Sequence, residues 1–332
     1  MSERKDGTLS ANGIEIHYVE QGTGPLVVMC HGFPESWYSY RHQLTALAEA
    51  GYRAVALDMR GYGGTSKPQD IAAYSLSHLV GDAVGAVLAL TETQHEPQAV
   101  VVGHDWGAPV AWYSALMRPD LFRAAAIMSV PYTKPFALPP DFKLTEMMRA
   151  RAQPDREYYR VYFQEPGVAE KELEADVRST MLRLLYAQSG DYIRDGRATE
   201  LSDGHFARGE AFLDSMIQPS QLPPWLTAAD LEFYVDALTS SGFRGGLNWY
   251  RNIDALPGIL APFVGRTLEQ PVLYVYGEYD LIAGNTPDAL EAMCNELPNL
   301  KKLVKVQGAG HWVQQERPEQ VNAELINFLQ GL

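Results

Sequence analysis

Cysteine is scarce in this chain: 332 residues contain only Cys30 and Cys294. Two thiols in a chain of this size point to free cysteines in a reducing compartment, not to a disulfide framework. Cys30 lies in an apolar run and is expected to be a buried packing residue. Positive charge is also in short supply. With 27 Lys and Arg against 41 Asp and Glu the net charge is −14, which argues against nucleic acid and anionic membrane surfaces as partners. No apolar stretch reaches the ~18–20 residues that span a bilayer. The N-terminal stretch has no apolar core of the kind a secretory signal carries. His, Cys and carboxylates nowhere fall at metal-ligand spacing. Internal repeats and low-complexity segments are missing as well. The expectation is a soluble, cytoplasmic protein without metal or other cofactor, as a monomer or homodimer.

What is present is a regular alternation of strands and helices. Residues 8–21 read as a hairpin about Asn12-Gly13, with Ile14, Ile16 and Tyr18 alternating. Short apolar strands follow at 26–30, 54–57, 99–102, 124–130, 272–276 and 303–306. Between them lie helical patterns near 36–50, 76–91, 108–118, 287–295 and 318–329. Continuous apolar strands alternating with amphipathic helices predict an α/β fold, a mostly parallel sheet covered on both faces. The alternation stops between about Pro131 and Pro271. That region is rich in Tyr, Met and charge, has helical spacing at 170–186 and 228–238, and lacks strong β signals. It predicts a helical lid inserted between two strands, where a pocket forms over the strand ends. The expected division is a core of 1–133 and 266–332 with a cap of 134–265.

The segment Gly103-His104-Asp105-Trp106-Gly107-Ala108 follows an apolar strand and opens a helical stretch through Trp112, Ala115 and Met117. Small residues around a central nucleophile at a strand-to-helix turn mark a nucleophile elbow. The central residue here is Asp instead of the commoner Ser, and that choice narrows the chemistry. A carboxylate, ordinarily with a pKa near ~4, needs no base to activate it. Attack on a carbonyl would give a reactive anhydride. Attack on saturated carbon bearing oxygen or halogen gives an alkyl ester that water can cleave.

Cleaving that ester needs a base, an orienting acid and an oxyanion site. His311 follows the last strand through Gly308-Ala309-Gly310, and imidazole, with an ordinary pKa near ~6.5, suits the deprotonation of water. Asp280, after the preceding strand in Gly277-Glu278-Tyr279-Asp280, is placed to fix the imidazole tautomer. The chain order of nucleophile, acid and base is the one this fold uses. The turn His31-Gly32-Phe33-Pro34 follows the strand 26–30. The backbone N–H groups of Phe33 and Trp106 are the expected oxyanion donors. His31, Gly32, Pro34, His104 and Glu35 read as supports. The loop Arg60-Gly61-Tyr62-Gly63-Gly64 matches no phosphate-binding fingerprint and reads as a structural turn.

These motifs together resemble the α/β-hydrolase-fold epoxide hydrolases. The likeness rests on HGFPESWY at 31–38, GHDWGA at 103–108 and Gly310-His311-Trp312, with the lid segments YRVYFQEPG at 159–167 and LNWYRN at 247–252. It runs from about residue 8 to the C-terminus. The resemblance implies a small-molecule epoxide substrate and assigns Tyr159 and Tyr250 as the ring-opening phenols, with Tyr158 and Tyr162 as rivals for the first place. A phenol, with a pKa near ~10, is a protonated donor at neutral pH and suits the alkoxide charge of an opening epoxide. The alternatives are a haloalkane or haloacid dehalogenase on the same scaffold and a non-catalytic ligand receptor. A departing halide has no need of paired phenols, and dehalogenases of this fold commonly place Asn or another donor where Phe33 stands.

Overall fold

In the computed structural model the described residues are 3–95, 97–139, 141–197, 204–284 and 287–332. Eight strands form one sheet in the order β1-β2-β4-β3-β5-β6-β9-β10. These are β1 (Lys5–Ala11), β2 (Ile14–Gln21), β3 (Leu26–Cys30), β4 (Arg53–Leu57), β5 (Ala99–His104), β6 (Phe122–Met128), β9 (Val272–Gly277) and β10 (Leu300–Val306). The remaining pair, β7 (Arg156–Tyr158) and β8 (His205–Ala207), makes a small antiparallel ribbon of its own. β1 and β2 form the hairpin, turned at Asn12 and Gly13, both with positive φ. β2 also runs antiparallel to β4, and every pairing from β4 to β10 is parallel.

The parallel strands carry Val, Ala and Ile on both faces because both faces are covered. Val28, Val101 and Ile127 pack with Leu79, Ala83, Val110 and Ala111 of the helices Leu76–Leu90 and Gly107–Met117. Val27, Met29, Val100, Val102 and Val275 pack with Leu44 and Leu47 of Arg41–Glu49 and with Val321 and Leu325 of Pro318–Gln330. Each Val, Leu, Ile or Met among them contributes roughly 1.5–3 kcal/mol when fully buried. Cys30 sits among them as a free thiol, and burial pushes its pKa up to about 12. Cys294 is free and exposed.

The chain runs outward from β3 to β4 and then returns to place β5 on the other side of β3. A crevice opens where a parallel sheet reverses its direction of growth. Register keeps the strand ends level there: Cys30 pairs with Gly103, His104 with Met128, and Met128 with Val275. Residues that leave β3, β5, β6 and β9 therefore emerge at one edge of the sheet.

Between β6 and β9 the described elements are short helices apart from the β7–β8 ribbon. That ribbon is too short, three residues a strand, to give a periodic signal. The pattern at 170–186 is two helices, Val168–Leu173 and Val177–Ala187, separated where Asp176 caps the second by accepting from the Ser179 N–H. The second stretch is one helix, Ala228–Ser241, with Thr227 and Asp230 forming a capping box. Among the described residues no helix is long and apolar enough to cross a membrane.

Candidate active site

Asp105 stands immediately after β5 with φ +51°, a left-handed conformation that costs a non-glycine residue on the order of 1–3 kcal/mol. The turn is possible because its flanks are glycine. A Cβ on Gly103 would collide with the Gly107 carbonyl, and one on Gly107 with the Cys30 carbonyl. The helix Gly107–Met117 begins at once and packs between β5 and β6. The Asp105 side chain is held at the edge of the sheet, 10% exposed and so screened from bulk water.

The loop after β3 meets it. The Phe33 N–H donates to Asp105 Oδ1 at 2.8 Å, and Pro34 follows through a cis peptide bond. The Trp106 N–H, next along the chain from Asp105, takes no protein partner among the described residues. Glu35, fully buried, holds this loop by accepting from the Gly32 N–H at 2.9 Å.

On the other side, His311 Nε2 lies 3.8 Å from Asp105 Oδ2, and its Nδ1 lies 3.5 Å from Asp280 Oδ1. All three side chains are buried. Burial opposes the charge on Asp280, but His311, Ser129 and the Ile282 N–H outweigh it and hold the carboxyl below its ordinary pKa. A residue absent from the sequence-based set stands nearer to the imidazole than Asp280 does: Ser129 Oγ is 2.9 Å from His311 Nδ1. The strand expected at 124–130 ends at Met128 because Ser129 turns to φ +70°, which carries its hydroxyl to the His311 imidazole. A serine inside an apolar run gives no signal of that turn.

The two supporting histidines have opposite protonation states, fixed by what they face. His104 directs Nδ1 to Glu35 Oε2 at 2.8 Å and Nε2 to the His311 carbonyl at 2.7 Å. Both partners are acceptors, so both ring nitrogens donate and the ring is imidazolium. Burial pushes its pKa down, but the Glu35 carboxylate outweighs that and raises it to about 9. His31 donates from Nδ1 to the Gly32 carbonyl and accepts the Met59 N–H at Nε2, so it is neutral; burial lowers its pKa. Glu316, missed in the sequence because a helical glutamate usually faces water, is buried and accepts three backbone N–H groups. Those are Gly310 and Trp312, on either side of His311, and Gly190 from the insertion.

The insertion brings its phenols to the same place. Tyr250 lies on the helix Arg244–Arg251, its ring 5.1 Å from Trp106 and 5.3 Å from Phe33, both edge-on. That helix reaches the core because Gly245 packs backbone to backbone against Gly61, where a Cβ would clash. The Trp249 indole also donates to the Arg60 carbonyl. The glycine-rich loop after β4 is thus a seat for the helix. Tyr159 faces Tyr250 with ring centroids 5.9 Å apart. Its rivals point elsewhere: Tyr162 donates to Glu172 Oε2, and Tyr158 packs on His205. Gln164 Nε2 donates to the carbonyls of both Arg160 and Tyr250, clipping the two segments together. Burial drives both phenols above their ordinary pKa, so each keeps its hydrogen at neutral pH. The arrangement brings a carboxylate, an imidazole and two phenols into one buried neighbourhood, which suits displacement at carbon with charge developing on oxygen.

Comparison with known proteins agrees in fold and activity. The family described as alpha/beta hydrolase fold matches residues 25–318. Epoxide hydrolase A of Mycobacterium tuberculosis is 39% identical over 328 residues, 98% of this chain and 97% of that protein. The solved epoxide hydrolase from an endophytic Streptomyces superposes with a TM-score of 0.91 at 43% identity, covering 99% of this chain and 96% of that one. Potato (Solanum tuberosum) epoxide hydrolase I gives 0.87 at 33% identity over 99% and 100%. An aspartate elbow in this fold and full-length likeness to enzymes of one activity lead to the same place: the chain belongs to the epoxide hydrolases of the α/β-hydrolase fold.

Proposed function

We propose that this epoxide hydrolase works through Asp105, with Tyr159 and Tyr250 as ring-opening acids, His311 and Asp280 as base and orienting acid, and the Phe33 and Trp106 amides as oxyanion donors. The observation that carries the reading is Asp105 itself, an acidic side chain at positive φ, anchored through Oδ1 by Phe33 with Oδ2 on the His311 side. Asp105 gives an electron pair to a ring carbon, and the C–O pair moves onto the epoxide oxygen, which the phenols bind and protonate. A hydroxyalkyl ester results. His311 takes a proton from water, and the hydroxide attacks the acyl carbon of Asp105. The tetrahedral oxyanion is held by the two amides, each worth a few kcal/mol in such sites. Collapse expels the diol oxygen, which takes the His311 proton. The carboxylic acid left on Asp105 then ionises and its proton returns to the phenol. The net change is addition of water with no oxidation or reduction, so the scheme requires no cofactor.

In this reading the core of residues 1–133 and 266–332 supplies nucleophile, base, acid and oxyanion donors, and the cap of 134–265 supplies the phenols. His31, Gly32, Pro34 and His104 hold the loops in place. A cytoplasmic monomer or homodimer that detoxifies small reactive epoxides completes it, in keeping with two free thiols and the acidic net charge.

Intact-protein mass spectrometry of His311→Gln tests the covalent route. Incubation with a panel of epoxides should trap an adduct equal in mass to the whole epoxide, and Asp105→Ala in the same background should abolish it. Asp105→Ala alone should lose turnover by several orders of magnitude with its fold intact. Substantial turnover by that variant would rule out the ester. An adduct from haloalkanes alone, lighter by the halide, would instead favour dehalogenation.

A further inference from the structure

The residue that follows Tyr159 is a cation, Arg160, with no acidic partner among the described residues. Among the described residues no carboxylate lies within ion-pair distance of Arg160. Its Nε donates to Tyr159 Oη at 2.9 Å, and its guanidinium carbon lies 5.6 Å from the Tyr159 ring centre and 5.9 Å from that of Tyr158. The groups that favour its charge are therefore phenols: Tyr159, Tyr158 and, farther off, Tyr250. Its backbone is fixed as well, because its carbonyl accepts from the Gln164 amide that also binds the Tyr250 carbonyl. A partly buried guanidinium is expensive to keep without a carboxylate, and its side-chain acceptor among the described residues is the hydroxyl of Tyr159.

The two phenols are not equivalent in this setting. Burial raises the pKa of both. Tyr159 has Arg160 working against that rise through charge and a hydrogen bond, with Tyr158 and Asp105 acting the other way. Tyr250 is surrounded by the rings of Phe33, Phe163 and Trp106; the Trp106 side chain hydrogen-bonds it and the Arg160 charge reaches it, but among the described residues no guanidinium donates to its hydroxyl. A guanidinium donating to a phenol oxygen does two things. It occupies a lone pair, which leaves the phenolic hydrogen for an acceptor on the other side. It also stabilises negative charge that accumulates on that oxygen, because hydrogen bonds to charged groups are roughly twice as strong as neutral ones.

We propose that Arg160 is a positioning residue that makes Tyr159 the proton donor of the pair, leaving Tyr250 as a hydrogen-bonding clamp. This rests on the covalent reading above. As the Asp105 ester forms and the C–O bond breaks, the epoxide oxygen takes the Tyr159 proton. The products are a neutral hydroxyalkyl ester and a tyrosinate, so the negative charge has moved from Asp105 to the oxygen that Arg160 already touches. After hydrolysis, the proton released by the regenerated Asp105 carboxylic acid restores Tyr159. Arg160 itself neither gains nor loses a proton.

The test is single-turnover kinetics of Arg160→Gln and Arg160→Lys, alone and combined with Tyr159→Phe or Tyr250→Phe, following alkylation and ester hydrolysis separately. Arg160→Gln should slow alkylation by about 10-fold, the loss of one charge-assisted contact in the transition state, and leave hydrolysis unchanged. Arg160→Lys should recover part of the rate. With Tyr159→Phe already present, Arg160→Gln should cost nothing further; with Tyr250→Phe it should cost at least as much as in the parent. In the ester trapped by His311→Gln, near-ultraviolet tyrosinate absorbance should appear while Arg160 is present and vanish when Arg160→Gln is added. Unchanged alkylation in Arg160→Gln, or an equal loss with and without Tyr159, would overturn the proposal. So would equal slowing of both chemical steps, the mark of a merely structural residue. If Tyr159→Phe alone leaves alkylation untouched, the underlying assignment of the acids fails instead.

Discussion

Ser129 places its hydroxyl against the nitrogen of His311 that the acid is meant to orient. With Oγ at 2.9 Å and Asp280 Oδ1 at 3.5 Å, the Nδ1–H has two acceptors to choose from. The serine hydroxyl can accept that hydrogen and pass its own to Asp280, and a hydrogen bond from Ser129 does help hold the Asp280 carboxyl below its ordinary pKa. Removing one neutral hydrogen bond costs about 0.5–1.5 kcal/mol. Ser129→Ala should accordingly slow ester hydrolysis by roughly 2- to 10-fold, at about 1.4 kcal/mol per factor of ten. Alkylation, in which His311 takes no proton, should be unaffected. Pre-steady-state measurement of the two steps decides it, and equal slowing of both would mean that Ser129 shapes the whole site. That Asp105, His311 and Asp280 meet was legible in the sequence because each follows an apolar strand with a glycine within three residues. Ser129 and Arg160 were not, since a hydroxyl at a strand end and an arginine in a tyrosine-rich helix are ordinary surface features until the third dimension is known. Even Tyr159 and Tyr250 came from resemblance, as the chain has 18 tyrosines and nothing local singles out these two.

Elements set where those residues meet. The strands of the sheet were readable from continuous apolar runs, and the hairpin from Asn12-Gly13. The break at 174–176 and the β7–β8 ribbon were not, because a cap decided by one aspartate and three-residue strands leave no period to detect. A short helix shows how much one side chain can organise. Glu316 ends Val313–Glu316 and gathers the N–H groups of Gly310, Trp312 and Gly190. Its Oε2 takes Gly190 at 2.8 Å and Gly310 at 2.9 Å, joining the base loop to the insertion. An amide offers only one acceptor oxygen, so Glu316→Gln strands at least one buried N–H, at about 1–3 kcal/mol. Urea denaturation should show that loss of stability. Hydrolysis should slow more than alkylation, since the loop that moves carries His311. A variant as stable as the parent would show that the three bonds are replaceable by water.

At the scale of the whole molecule the loops after β3 and β5 and the helix Val313–Glu316 converge on one buried ion pair. Glu35 Oε2 bonds His104, while Glu35 Oε1 accepts from the side chains of Gln314 and Gln315. His104 in turn holds the His311 carbonyl. Folding therefore fixes charge on both partners, and stability must follow their titration. His104 is raised by Glu35, against burial, from an ordinary value of 6.5 to about 9. A raised base binds its proton more tightly when folded, so its contribution is complete below about 6.5 and fades as pH climbs to about 9. Burial acts to raise Glu35, yet the His104 charge outweighs it and lowers the carboxyl below 4.5. Its contribution is complete above about 4.5 and fades as pH falls through the lowered value. Both are in place only between about 4.5 and 6.5. The urea midpoint of the parent should therefore decline from pH 6.5 to 9. Glu35→Gln should lower the midpoint throughout, since breaking a buried pair costs about 3–5 kcal/mol, and should flatten most of that alkaline decline, because only the Asp105 charge and the His311 carbonyl then hold the His104 proton against burial. If the decline in the variant matched that of the parent, His104 would be neutral in the folded protein and the loops would be joined by hydrogen bonds alone.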